Sequence, residues 1–101
     1  CPDLRGLGKS APLHDPARAL QLSAYLGDIA AVADHADAAT FHLVGEAIGG
    51  AITLIFAAER PERLRTLSVL APAVWANEWI RNAYAVGYPG WVDAIRARNR
   101  I

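Results

Sequence analysis

Residues 40–70 hold the pattern that most restricts the fold of this chain. The segment TFHLV (40–44) is short, rich in β-branched and aromatic residues and bounded by turn-forming residues, which predicts a buried strand. Residues 47–60 are apolar on nearly every face and predict a central helix, which Pro61 ends. The segment RLRTLSVL (63–70) predicts a second strand. Strand, helix and strand with short connections predict a right-handed parallel β-α-β unit, and therefore an α/β fold.

The flanking segments have different compositions. Residues 1–16 are rich in glycine and proline and predict a loop. The following stretch, ARALQLSAYLGDIAAVADHADA, has apolar residues at helical spacing and predicts one amphipathic helix of about 18–20 residues. Either Asp15 or Ser23 is suited to cap its start. Beyond Ala71 the chain becomes aromatic, and two further helices are expected at about 76–86 and 90–99, separated by GYPG.

Charge and cysteine content exclude several classes of protein. The ten basic and ten acidic residues balance, so nothing in the overall charge favours binding to nucleic acid or to an anionic membrane. No apolar run reaches the roughly 20 residues of a membrane span, and no signal peptide is visible. The single cysteine, Cys1, excludes an internal disulfide. We expect a cytoplasmic protein, and the absence of an initial methionine suggests a piece of a longer chain.

Three motifs in order give the chain a family resemblance. The turn GEAIGG (45–50), between the predicted strand and helix, resembles the G-x-S-x-G nucleophile elbow of the α/β-hydrolases. Upstream, PDLRGLGKS (2–10) resembles the family's P-D-x-R-G-x-G-x-S loop. Downstream, AAERPERLRTLSVLAP (57–72) resembles its helix end, turn and following strand. The whole is most similar to the enol-lactonase, C–C hydrolase and epoxide hydrolase-like branch.

The resemblance assigns roles within the turn. In that turn, glycines two residues before and after the nucleophile let the strand and the helix approach closely. Gly45 and Gly49 are expected to have this role here, with Gly50 beside them. Ala47 occupies the nucleophile position, where the family has serine or sometimes aspartate or cysteine. The backbone N–H of Ile48 matches the oxyanion donor at the start of the helix.

The resemblance implies a serine-type hydrolase acting on an ester, lactone or activated C–C bond of a small apolar substrate, with no metal and no organic cofactor. Because a methyl group cannot attack a carbonyl, Ala47 makes this chain inactive in the family's covalent mechanism. An engineered serine-to-alanine change, a natural pseudo-hydrolase and a member with unusual chemistry remain open. A non-catalytic ligand-binding protein of the same fold is the alternative. The family's catalytic His and acid would lie beyond Ile101.

The resemblance also divides the chain. Residues 1–72 are expected to form part of the hydrolase core, and residues 73–101 the beginning of a helical cap, or lid. Aromatic side chains in the cap, Trp75 and Trp79 foremost, are candidates for lining an apolar pocket, or else for packing the cap on the core. Since two strands make a poor sheet alone, other segments of the same fold are expected to complete it. A homo-oligomer is left open.

Other polar residues are expected to be structural. Glu46, beside the elbow, is assigned no catalytic part, because neighbouring side chains there point in different directions. Asp34, His35 and Asp37 form a solvent-facing group at a helix end rather than a metal site. His42 is expected to be a hydrogen-bonded residue of a buried strand, and Arg5 to fix its own loop.

Overall fold

The computed structural model describes residues 1–74, 93 and 96–99 of the chain. The chain divides into two compact units. One unit is Leu22–Val74, and the other joins Cys1–Gln21 to the C-terminal part of the chain. In chain order the elements are α1 (Pro16–Ala19), α2 (Leu22–His35), β1 (Phe41–Glu46), α3 (Ala47–Glu59), a 3-10 turn (Pro61–Arg63) and β2 (Leu64–Leu70).

The unit Leu22–Val74 contains the predicted β-α-β arrangement. β1 and β2 pair in parallel, from Phe41 opposite Leu64 to Glu46 opposite Leu70, with a register irregularity after Phe41. Because the two strands are parallel, their carboxyl ends lie at the same edge of the sheet, and α3 connects one strand to the other. The predicted α/β class and the parallel pairing are confirmed.

One face of the sheet is covered in this unit. Phe56 of α3 is fully buried and its ring packs against Phe41 of β1, with 5.8 Å between the ring centroids. Ile52 and Thr53 are buried on the same side of α3, whereas Ile48 is 53% exposed. The predicted helix is therefore found packed on the sheet, and in the described residues one face of α3 meets the strands although the helix is apolar on nearly every face.

β1 shows the same one-sided burial. Phe41, Leu43 and Gly45 are half-buried or buried, and the alternate residues His42, Val44 and Glu46 are exposed. We predicted a buried strand from its apolar composition. In the described part of the chain only the α3 side of the strand is covered, so composition overstated its burial.

The predicted single amphipathic helix is two helices. The helical conformation is interrupted after the short α1 and resumes at Leu22. The Asp15 carboxylate caps the start of α1 by accepting a hydrogen bond from the Arg18 backbone N–H at 3.4 Å. α2 ends at His35, where Asp37 adopts φ 53° and the Ala38 N–H bonds back to the Ala33 carbonyl at 2.9 Å. These bonds satisfy the last carbonyls of the helix and turn the chain toward β1.

Arg63 fixes the amino ends of the two strands. Its guanidinium donates to the Ala39 carbonyl at 2.8 Å and to the Asp34 carboxylate at 2.7 Å, and it lies over the Phe41 ring at 5.7 Å. The side chain therefore ties the end of α2 and the start of β1 to the start of β2. Asp34 is a member of this ion pair, as expected of a structural carboxylate.

The second unit contains the predicted N-terminal loop, which hydrogen bonds hold in place. The buried Asn99 side chain donates to the Gly6 carbonyl at 3.1 Å and accepts from the Leu13 N–H at 2.8 Å. Arg98 donates to the carbonyls of Gly8 and Ser10. Arg5 donates to the Ala19 carbonyl at 3.0 Å, which agrees with its predicted role in fixing the loop.

Most of the predicted cap lies outside the described residues. Of the helices expected at 76–86 and 90–99, the structure describes residue 93 and residues 96–99, which are helical. The cap and the division of the chain at residue 72 remain predictions. Among the described helices, none has the length and apolar character needed to cross a membrane.

Candidate functional site

The junction between β1 and α3 is a sharp strand-to-helix turn centred on Ala47. Glu46 is still extended, with φ −124° and ψ 143°, while Ala47 has φ 51° and already begins α3. This left-handed conformation costs an L-residue about 1 kcal/mol, because its Cβ crowds the following carbonyl. The chain therefore changes from strand to helix at one strained residue, which stands at the carboxyl edge of the sheet.

Gly45 permits the strand and the helix to meet. A Cβ built on Gly45 would lie 2.5 Å from the Thr53 hydroxyl oxygen and 2.6 Å from the Gly49 carbonyl oxygen. Thr53 is itself buried and donates its hydroxyl hydrogen to the Gly50 carbonyl at 2.9 Å. Because these neighbours belong to the first turns of α3, only a glycine fits at position 45 without displacing the helix.

The other two glycines of the turn differ from each other. A Cβ on Gly50 would lie 3.1 Å from both the Cα of Pro72 and a methyl carbon of Val69. A Cβ on Gly49 would meet no atom within 4 Å in the part of the chain that the structure describes. The close approach predicted for Gly49 is therefore found at Gly50, where the segment after β2 packs against α3.

That segment, residues 71–74, is called here the post-strand segment. Ala71 has φ 42°, and the Val74 N–H bonds to the Pro72 carbonyl at 2.9 Å, which together bend the chain back. The Ala73 N–H then donates to the Ala47 carbonyl at 2.8 Å. Thus a hydrogen bond from the post-strand segment holds the strained residue of the turn in its costly conformation.

The backbone N–H of Ile48 lies in the first turn of the 13-residue helix α3. The first N–H groups of a helix have no carbonyl partner within the helix, and its dipole favours negative charge there. Next to a reacting carbonyl, such a group can stabilise a developing oxyanion. The geometry at Ala47 and Ile48 therefore suits acyl chemistry, while the Ala47 methyl supplies no nucleophile.

The polar residues near the sheet take structural positions. Glu46 is exposed, and its side chain makes no capping hydrogen bond to α3. His42 is exposed rather than buried, but its Nδ1 lies 2.7 Å from the Thr66 hydroxyl, so the expectation of a hydrogen-bonded residue is confirmed. Within residues 1–74 and the described helical residues near the C-terminus, no three potential metal ligands cluster.

Two participants in the turn were missed in the sequence. Thr53 could have been noticed as a lone hydroxyl in an apolar helix, while the backbone bond of Ala73 has no residue-type signature. Two predicted pocket residues, Trp75 and Trp79, lie outside the described part of the chain, so their role remains a prediction.

Comparison with known proteins supports the fold independently. A family model described as the alpha/beta hydrolase fold matches residues 1–100. The chain is 37% identical over 89 residues to the dihydrolipoyllysine-residue acetyltransferase component of the acetoin cleaving system of Pseudomonas putida. That match includes 85% of this chain but only 22% of the relative's length. No solved structure matches the chain significantly. Given the family match over nearly all of its residues, the chain belongs to the α/β-hydrolase fold family.

Proposed function

We propose that the chain contains the nucleophile elbow of a hydrolase that acts on an ester, lactone or activated C–C bond of a small apolar substrate. Ala47 occupies the nucleophile position, and the Ile48 N–H is the oxyanion donor. The observation that carries this proposal is the left-handed φ of 51° at Ala47, between an extended Glu46 and the first turn of α3. A strained strand-to-helix turn of this kind is how the fold exposes its nucleophile.

The chain as it stands is inactive in the covalent mechanism on this proposal. A nucleophile must supply an oxygen or sulfur lone pair to the substrate carbonyl, and the Ala47 methyl has none. What this chain keeps is the backbone geometry, namely the helix N-terminus and the oxyanion donor. A catalytic His and an acid must come from other parts of the full-length protein.

The remaining parts of the proposal concern organisation. On this proposal, residues 73–101 begin a helical cap like that of the enol-lactonase, C–C hydrolase and epoxide hydrolase-like branch, and Trp75 and Trp79 are its candidates for lining an apolar pocket. Further segments of the same fold complete the sheet. Exposed Val44 on β1 and Leu70 on β2 support this, because these apolar side chains lie on strands that need cover. We place the protein in the cytoplasm, with no cofactor.

The Pseudomonas putida relative bears the name of an acetyltransferase component. Acyl transfer and ester hydrolysis share attack on an acyl carbonyl and an oxyanion that must be stabilised. Because the chain spans about a fifth of that relative, the relative's reaction is not assigned to it. An acetyl thioester is, however, a useful second substrate in any assay of the site.

A fluorophosphonate probe, which reacts with activated serine hydroxyls, tests the proposal. The full-length protein with Ala47 is expected to remain unlabelled at this site, whereas the Ala47→Ser variant should incorporate about one label per chain. The substitution adds a single oxygen at a half-buried position, so the fold should tolerate it. Labelling is read by protein mass, with Gly49→Ala as a matched control that leaves the nucleophile position unchanged.

The alternative function, ligand binding without catalysis, predicts another result. If the rest of the catalytic machinery is absent, Ala47→Ser remains unlabelled while small apolar ligands still bind with unchanged affinity. That outcome contradicts the hydrolase proposal and supports the binding protein. Ester turnover by the unsubstituted protein at a rate similar to Ala47→Ser would instead indicate chemistry that does not use position 47.

A further inference from the structure

Two residues with exposed β-branched side chains are linked to Ala47 through the backbone. Ile48 directly follows it and is 53% exposed, and Val74 is 65% exposed at the end of the post-strand segment. We infer that Ile48 and Val74 form the two walls of a binding site for the uncharged hydrocarbon chain of the substrate. This specificity assignment rests on the proposed function for the chemistry at position 47.

Hydrogen bonding fixes Val74 near the turn. The Ala73 N–H donates to the Ala47 carbonyl at 2.8 Å, so the residue after Ala73 is held beside the elbow through its backbone. Pro72 packs against Gly50 and holds the same segment on α3. The packing is close, because a Cβ built on Gly50 would lie 3.1 Å from the Pro72 Cα. The backbone before Val74 is thus held by two contacts within the unit Leu22–Val74.

The position of the two side chains suits a ligand. Both lie at the edge where the parallel strands end, outside the carboxyl ends at which open α/β sheets bind their ligands. Branched side chains have few rotamers, so their surfaces are shaped before a ligand arrives. The Ile48 N–H, in the first turn of α3, is a hydrogen-bond donor for a carbonyl oxygen. An apolar surface around one donor fits an acyl group with its hydrocarbon chain.

Alkyl phenyl ketones test the inference without turnover. Acetophenone, butyrophenone and hexanophenone keep the carbonyl and the aromatic part of a phenyl ester but cannot be hydrolysed. Calorimetric titration of the full-length protein with Ala47 is expected to show the dissociation constant falling about fourfold for each added methylene group, the gain from its burial. An affinity that does not change with chain length would overturn the inference.

Substitution of Val74 or Ile48 should weaken the dependence of ketone affinity on chain length. In Val74→Thr a methyl group becomes a hydroxyl with little change in shape, and in Ile48→Thr a hydroxyl replaces the longer ethyl branch. In each variant the gain per methylene should fall to about twofold or less. Val32→Thr is the matched control, because Val32 is 44% exposed on α2. Its chain-length dependence should match that of the unsubstituted protein. If the Val74 and Ile48 variants bind all three ketones more weakly by the same factor, the assignment is contradicted. It is also contradicted if the Val32 control loses the chain-length dependence as they do.

The binding measurement and the catalytic proposal fail separately. Loss of chain-length dependence in Val74→Thr together with no labelling of Ala47→Ser would keep the hydrocarbon site and reject the nucleophile position. Labelling of Ala47→Ser with no effect of Val74→Thr on the ketone series would keep the catalytic proposal and reject the site. Because both side chains are exposed, the variants should fold, and circular dichroism of each checks this.

Discussion

Replacing Ala47 by serine in the full-length protein is expected to raise the turnover of p-nitrophenyl butyrate by about 10³-fold or more. Removal of the serine nucleophile in a serine hydrolase costs on the order of 10⁶ in kcat, and the residual rate comes from binding and the oxyanion donors. Restoring the hydroxyl should therefore restore a large part of that difference, because the His and the acid of the full-length protein can then activate it. Release of p-nitrophenol measures the rate, and hydrolysis of an acetyl thioester measures a second acyl group.

Ala47→Gly is the matched control for this gain. Glycine adopts φ 51° without the Cβ strain of alanine, so the variant should be more stable to unfolding by about 1 kcal/mol, yet it supplies no nucleophile. Its turnover should stay at the level of the unsubstituted protein. A similar increase in both variants would show that loosening of the turn, not the hydroxyl, had produced the activity.

Gly45→Ala is expected to lower the free energy of unfolding by about 3 kcal/mol, or to prevent folding. The added methyl would lie 2.5 Å from the Thr53 hydroxyl oxygen and 2.6 Å from the Gly49 carbonyl oxygen. Thr53 is buried and bonded to the Gly50 carbonyl, so neither it nor the backbone can move aside cheaply. Overpacking a close contact of this kind costs about 1–3 kcal/mol and sometimes more. Urea denaturation of the full-length protein measures the loss.

Gly49→Ala provides the contrast. The same methyl at position 49 meets no atom within 4 Å in the described residues, and alanine favours a helix over glycine by up to about 1 kcal/mol. We therefore expect no loss, or a gain in stability. Equal destabilisation by the two substitutions would contradict the role that the structure gives to Gly45.

The β-α-β unit could be predicted because its signals are local. The ends of both strands and of α3 were predicted to within about two residues, from a β-branched run, an apolar helical stretch and the proline after it. The parallel pairing followed from the short helical connection. The strained Ala47 was also predictable, since its position between glycines resembles a turn whose backbone is known to be strained. These features depend on residues close together in the chain.

Other features depend on neighbours that a sequence does not show. The exposed side of β1, with His42 and Val44, looked buried because composition cannot tell which face of a strand is covered. The break between α1 and α2 was missed, because residues 17–38 have apolar residues at helical spacing throughout. The left-handed position after α2 is taken by Asp37, where a glycine is the usual sequence signal. The close contact was expected at Gly49 but lies at Gly50, because Pro72, which is distant in the sequence, packs against Gly50.

Locating the acyl group during turnover tests the role of position 47 most directly. Ala47→Ser in the full-length protein is mixed with p-nitrophenyl butyrate, quenched with acid after the first turnover, digested and analysed by mass spectrometry. A butyryl adduct is expected on the peptide that contains position 47, and no adduct there in the unsubstituted protein. Turnover without that adduct, or an adduct on another peptide, would contradict the assignment of Ala47 to the nucleophile position.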